Sequence, residues 1–143
     1  MARVLIAEDD DEMRSLLSQV LEADGYEVVT ARNGFELYHK LQQCAGVGAW
    51  PTDETPGLAV VVSDVRMPGM TGLEVLEFVA EELPNLPFIV ITAFADNATR
   101  QLAQQLRVAA FLSKPFYLDE FERAVVRAMV SGPSPRTGRE RLS

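Results

Sequence analysis

The stretch from Leu58 to Gly72, LAVVVSDVRMPGMTG, constrains the fold more tightly than any other part of the chain. Five apolar residues and a serine lead directly into an acid, Asp64, after which the chain must turn. A short β-branched run bounded by turn signals reads as a strand buried on both faces. Met67-Pro68-Gly69 cannot continue it, because proline lacks the N–H and glycine supplies permissive torsions. Thr71 with Glu74 three residues later makes a capping box, so a helix starts there. Asp64 is therefore expected at the carboxyl end of a core strand, facing the crevice where open α/β sheets bind ligands.

Around this stretch, strand and helix alternate five times. Arg3 to Ala7 is the first strand and runs into Glu8-Asp9-Asp10-Asp11-Glu12. Met13, Leu16, Leu17, Val20 and Leu21 then recur at helical spacing, and Asp24-Gly25 ends that helix. Tyr26 to Thr30 is the second strand; Asn33 caps a second helix with Leu37, Tyr38 and Leu41 as its stripe. Cys44 to Gly57 is rich in Gly, Pro and Thr and reads as a long surface loop. Leu58 to Ser63 is the third strand, and the helix after Thr71 carries Leu76, Val79, Ala80 and Leu83 until Pro84 stops it. Pro87 to Thr92 and Ala109 to Ser113 are the fourth and fifth strands, with a Gln-rich helix, Asp96 to Leu106, between them. The last helix, Leu118 to Val130, buries Phe121, Ala124, Val125, Ala128 and Met129.

This alternation implies a five-stranded parallel α/β sheet covered on both faces, a (βα)5 arrangement. Periodicity leaves the strand order open. In a flavodoxin-like order, 2-1-3-4-5, the first and third strands straddle the switch point, which would gather Glu8, Asp9 and Asp64 in one pocket. Thr92 and Lys114 would stand at the ends of the neighbouring strands.

Composition bounds what such a sheet can serve. A chain of 143 residues with 48% hydrophobic content suits one globular domain, here expected over residues 1–130, with 131–143 a flexible tail or linker. No apolar run reaches the length of a membrane span, and the first strand starts too early for a signal peptide. With a single cysteine, Cys44, the chain has no internal disulfide, and a cytoplasmic location is expected. Net charge is −8; Arg136, Arg139 and Arg141 against Glu140 leave the tail at +2 and the rest near −10, against direct nucleic-acid binding.

VLIAEDD at Val4–Asp10, VVVSDVRMPGMTG at Val60–Gly72, IVITAF at Ile89–Phe94 and FLSKPF at Phe111–Phe116 together resemble the CheY-like receiver domain of two-component response regulators. The resemblance implies a phospho-accepting signalling module rather than an enzyme. It implies Asp64 as phospho-acceptor, with Mg²⁺ bound by Glu8, Asp9, Asp64 and the backbone carbonyl of Arg66. Thr92 is the implied switch hydroxyl, Lys114 the phosphate-pairing lysine and Phe111 the switch aromatic. A histidine kinase or phosphotransfer protein is the implied donor, and a downstream output domain or protein the receiver of the signal. Val126 and Val130 lie off the buried stripe of the last helix, so phosphorylation-dependent association, including with a second copy, is expected there. The resemblance also implies a cis Lys114–Pro115 bond.

The residue types fit that chemistry. A carboxylate can attack phosphorus to give an acyl phosphate. Three acids repel an anionic donor unless a hard divalent cation bridges them, and Mg²⁺ suits oxygen ligands of this kind. Lys114 adds positive charge at the phosphoryl oxygens, and Thr92 a small mobile hydroxyl. Plainer roles stand beside these. Asp10, Asp11 and Glu12 are read as complementing the dipole of the first helix, His39 as a surface residue, and Cys44 and Trp50 as packing. Glu8 replaces the family's more common aspartate, and Phe111 stands where tyrosine is frequent. A haloacid-dehalogenase-like phosphatase needs a second acid two residues after Asp64, where Arg66 stands. A nucleotide binder needs a Gly/Ser/Thr loop after the first strand, where EDDDE stands. A pseudo-receiver that only binds partners remains open.

Overall fold

The computed structural model describes residues 2–44 and 58–131. The expectations for the connection 45–57, including Trp50, and for the tail 132–143 lie outside the described residues. The elements in order are β1 (Arg3–Ala7), α1 (Asp11–Ala23), β2 (Glu27–Ala31), α2 (Gly34–Cys44) and β3 (Leu58–Asp64). They continue with α3 (Gly72–Val79), β4 (Phe88–Thr92), α4 (Asn97–Gln105), β5 (Ala110–Ser113) and α5 (Leu118–Ser131).

The strands form one parallel sheet in the order β2-β1-β3-β4-β5, the expected flavodoxin-like arrangement. Side chains alternate across it. Leu5, Ala7, Val61 and Val90 face α2, α3 and α4, where Leu37, Leu41, Leu73, Leu76, Val79 and Ala103 cover them. Val4, Ile6, Val60, Val62, Ile89 and Ile91 face the other way, under Leu17 and Leu21 of α1 and Phe121 and Val125 of α5. Both faces of the central strands are therefore buried, which is why β3 reads as a continuous apolar run.

Local chemistry sets the helix starts. Asp10 caps α1 by accepting from the Glu12 N–H at 3.1 Å, with Asp11 and Glu12 in the first turn. Asn33 accepts from the Glu36 N–H at 2.8 Å ahead of α2. Thr71 and Glu74 close the capping box of α3 in both directions, at 3.1 and 2.9 Å. Gly25, at φ +97°, supplies the left-handed residue that lets the chain leave α1.

Two expectations need correction. Leu16 is exposed, because the sheet and α5 cover only the narrower arc of Leu17 and Leu21, with Met13 and Val20 at its margins. The third helix ends at Val79 rather than running up to Pro84. Proline has no N–H to offer the carbonyl four residues earlier, that of Ala80, and its ring crowds that carbonyl, so its effect reaches back a full turn.

The amino end of α2 is clamped to the loop after β3. The Gly34 N–H donates to the Pro68 carbonyl at 3.3 Å, and a Cβ at Gly34 would stand 1.8 Å from the Met70 carbonyl oxygen. Neither backbone can retreat without breaking a helix cap. Gly34→Ala is therefore expected to lower stability by about 3 kcal/mol, the upper end of overpacking. Gly25→Ala, with nothing within 4 Å of the added carbon, should lose only about 1 kcal/mol from its positive φ. Urea midpoints of the two variants test the contrast.

Candidate functional site

Strand register assembles the site. Ala7 pairs with Ser63 across β1 and β3, so the next residues, Glu8 and Asp64, emerge side by side at the carboxyl edge. Asp64, the last residue of β3 rather than the first beyond it, pairs with Ile91. Thr92 follows and pairs with Ser113, after which comes Lys114. Four strand ends thus converge at the predicted crevice.

Carboxylate oxygens of Glu8, Asp9 and Asp64 all lie within 4.8 Å of one another. Glu8 is 1% exposed and Asp64 5%, while Asp9 is open to solvent. Lys114 Nζ donates to Asp64 Oδ2 at 2.6 Å and to Glu8 Oε1 at 3.0 Å. The other oxygens are also held: Asp64 Oδ1 accepts from the Arg66 N–H at 3.0 Å, and Glu8 Oε2 from the Asp10 N–H at 3.1 Å. The Lys114–Pro115 bond is cis, as expected.

The electrostatics follow from this crowding. Burial pushes the Glu8 carboxyl up to about 7, with the charge of Asp64 reinforcing it against the pull of Asp10 and Lys114. Burial also opposes the charge on Lys114, but its hydrogen bonds to Asp64 and Glu8 outweigh that and hold its pKa above the ordinary value. Three carboxylates facing one ammonium leave unbalanced negative charge on hard oxygen donors. That donor set fits a divalent cation of the Mg²⁺ type.

Thr92 is fully buried, and its hydroxyl is tied to Phe94 rather than to Asp64. It donates to the Phe94 carbonyl at 3.2 Å and accepts from the Phe94 N–H at 3.0 Å. Phe111 is half-buried on β5, with the Arg100 guanidinium 4.9 Å above its ring. His39 is exposed, as expected.

The sequence did not single out Arg14. Its Nη1 donates to the Glu8 carbonyl at 2.9 Å, and it pairs with Asp11, holding the β1–α1 loop in place. An arginine on the polar side of an amphipathic helix looks like a solvated residue, so only its six-residue distance from Glu8 hinted at this contact. Arg66 was read for its carbonyl; its guanidinium lies 4.3 Å over the Phe94 ring at the mouth of the pocket.

The chain as a whole is similar to known proteins. The sequence model of the response regulator receiver domain matches residues 4–126. CpdR of Brucella abortus, a response regulator receiver protein, is 34% identical over 92% of this chain and 99% of its own length. The chain belongs to the response regulator receiver family. NtrC of Escherichia coli, a DNA-binding transcriptional regulator, is 34% identical over 88% of this chain, but the match spans only 24% of NtrC. Among solved structures, the response regulator protein TrrA of Thermotoga maritima, in complex with Mg(2+)-BeF, is 26% identical with a TM-score of 0.71. That match covers 89% of this chain and 98% of TrrA. Receiver domains are phosphoryl-accepting signalling modules that work between histidine kinases and output domains. Among the described residues no helix is long and apolar enough to cross a membrane.

The raised Glu8 pKa has a consequence for stability. Between the ordinary value of 4.5 and about 7, the folded protein binds more protons at Glu8 than the unfolded chain does. Stability of the metal-free receiver should therefore fall as pH rises through that window. Glu8→Gln should flatten this part of the profile, measured by urea unfolding from pH 4.5 to 8. An equally steep decline in the variant would place the titration elsewhere.

Proposed function

We propose that Asp64 accepts a phosphoryl group from the phosphohistidine of a histidine kinase or phosphotransfer protein. The observation that carries this reading is the placement of a buried strand-end carboxylate 2.6 Å from a lysine ammonium and beside two further acids. Residues 1–130 act as the receiver unit, 131–143 as tail or linker, and the protein works in the cytoplasm.

An oxygen of the Asp64 carboxylate attacks phosphorus while the bond from phosphorus to the imidazole nitrogen breaks. The bonding electrons leave with the ring, which departs neutral when its second nitrogen carries a proton. The product is an acyl phosphate on Asp64. Glu8, Asp9 and Asp64, with the Arg66 carbonyl, would hold Mg²⁺. When bound, the cation offsets the carboxylate charge and stabilises the phosphoryl oxygens. Lys114, already held at Asp64, turns one of its three N–H donors to the incoming oxygens.

Output follows from the neighbouring strand ends. The Thr92 hydroxyl exchanges its bonds to Phe94 for a phosphoryl oxygen, a stronger, charge-assisted acceptor. Phe111 then repacks, and the surface of α4, β5 and α5, where Val126 and Val130 are exposed, meets a downstream domain, protein or second copy.

Acetyl phosphate with Mg²⁺ tests the site without a kinase. Intact-mass measurement should show one added phosphoryl group that hydroxylamine removes, as an acyl phosphate requires. Asp64→Asn should abolish it and EDTA should suppress it. Lys114→Ala should slow uptake on the order of 100-fold, as for loss of one charge-stabilising donor. If neither acetyl phosphate nor a phosphorylated kinase modifies the intact protein, the binding-only pseudo-receiver reading replaces this one. The metal assignment has a separate readout: Asp9→Asn should weaken Mg²⁺ binding in a calorimetric titration, and unchanged affinity would remove Asp9 from the ligand set.

A further inference from the structure

The α2–α3 side of the molecule carries an aromatic row that phosphoryl chemistry does not use. Phe35, in the first turn of α2, is 62% exposed, and Phe78, near the end of α3, is 67% exposed. Tyr38 joins them. It follows Phe35 by one turn, and its ring meets that of Phe78 edge-on with centroids 6.2 Å apart. The core on this side is already filled by the opposite faces of the same helices. Two large rings are thus left in water on adjacent helices.

Charge on the page says what fits there. Glu77 precedes Phe78 directly, and Glu81 and Glu82 follow it by three and four residues. All three are exposed, and none takes part in an ion pair among the described residues. The cations nearby are committed elsewhere: Arg32, just before α2, pairs with Glu36 at 2.9 Å, and Lys40 of α2 donates to the Thr30 carbonyl at 2.7 Å. The row is thus apolar with an uncompensated acidic border. It also touches the loop that follows Asp64, because a Cβ at Gly69 would lie 2.5 Å from the Phe35 ring.

We propose that the Phe35–Tyr38–Phe78 row docks a cationic amphipathic helix of a partner protein. Its apolar side chains lie on the rings, and its Lys or Arg residues face Glu77, Glu81 and Glu82. This goes beyond phosphoryl acceptance and does not depend on it. A second copy of the chain is disfavoured, because a two-fold contact would set the same acids against each other. The chain's own tail carries Arg136, Arg139 and Arg141 but only one large apolar residue, Leu142, for two exposed rings.

The test uses the full chain and a fluorescent peptide of about 18 residues, five turns of helix. Leucines stand at i, i+3, i+4 and i+7, and lysines occupy the polar face; a matched peptide has glutamates instead. The lysine peptide should bind and perturb amide resonances of α2 and α3, and the glutamate peptide should not bind. Phe35→Ser/Phe78→Ser should raise the dissociation constant at least ~10-fold, as for loss of two aromatic anchors. Glu81→Gln/Glu82→Gln, which leaves the rings intact, should weaken binding and reduce its salt dependence. Unchanged circular dichroism and unfolding midpoints show that both variants fold. Equal affinity in both variants, or perturbed resonances confined to other helices, overturns the proposal. So does a concentration-dependent dimer abolished by Phe35→Ser/Phe78→Ser, which assigns the row to a second copy. A shift of α2–α3 resonances by Arg136→Gln/Arg139→Gln/Arg141→Gln in the peptide-free chain assigns it to the tail.

Discussion

Lys114 Nζ lies between Asp64 Oδ2 and Glu8 Oε1, at 2.6 and 3.0 Å, joining residues 50 and 106 positions apart in the chain. A buried ion cluster of this kind is favourable only when the remaining polar atoms are also satisfied. Here backbone N–H groups of Arg66 and Asp10 take the second oxygen of each acid. Those donors exist only if the chain turns immediately after β3 and after β1. Lysine, in turn, reaches the acids only if β5 ends beside β4, and β4 beside β3. A slip of one residue in any register would turn these side chains to the wrong face of the sheet. Registry across the sheet and satisfaction of the cluster therefore specify each other.

The connection after β3 approaches its neighbours closely, and that serves the same end. Gly72 lies so close to β3 that an added carbon would meet Ser63 Oγ at 2.4 Å and the Asp64 carbonyl at 2.6 Å. Ser63 Oγ meanwhile donates to that carbonyl at 3.0 Å. The loop from Val65 to Thr71 is thus pinned at Gly72 from behind, at Gly34 from the side, and under the Phe35 ring at Gly69. Such a loop presents its backbone groups to the pocket with little freedom left. The one acid that remains open to solvent, Asp9, belongs to the opposite loop, which Arg14 holds through the Glu8 carbonyl.

Much of this was legible in the sequence because it rests on local patterns. A five-fold alternation of apolar strands and amphipathic helices needs no tertiary information, and neither do the caps at Asn33 and Thr71. The acids and the lysine could be placed because each directly follows a strand, so knowing the strand fixes its end. What the sequence hid are contacts between elements. Arg14, Arg100 and the guanidinium of Arg66 all look like solvated helix or loop charges, yet each rests on a specific carbonyl or ring. Leu16 misled in the opposite sense. Helical spacing shows that a residue lies near the stripe, but only the width of the neighbouring surface decides whether it is covered. Phe35 and Phe78 were invisible for the same reason, since an aromatic off the stripe acquires meaning only when its helix gains a neighbour.

Energetics explain how a single phosphoryl group could move such a closely held site, on the function proposed above. The acids and Lys114 are fixed by several charged contacts, but Thr92 and Phe111, the proposed switch residues, are not. Thr92 is restrained by two neutral hydrogen bonds to Phe94, each worth about 1 kcal/mol net. Phe111 is restrained by the Arg100 guanidinium, a contact of about 0.5–1 kcal/mol, and by its packing against the core. The polar contacts among these locks total roughly 3 kcal/mol, whereas driving a two-state element from one side to the other takes about 5.5 kcal/mol of differential interaction. A charge-assisted bond from Thr92 to a phosphoryl oxygen, about twice as strong as a neutral one, replaces the lost pair almost evenly. The remainder has to come from what the new arrangement touches. A receiver built in this way is biased by its phosphoryl group and completed by its partner, so the partner's affinity and the phosphoryl group's effect are two readings of one coupling energy.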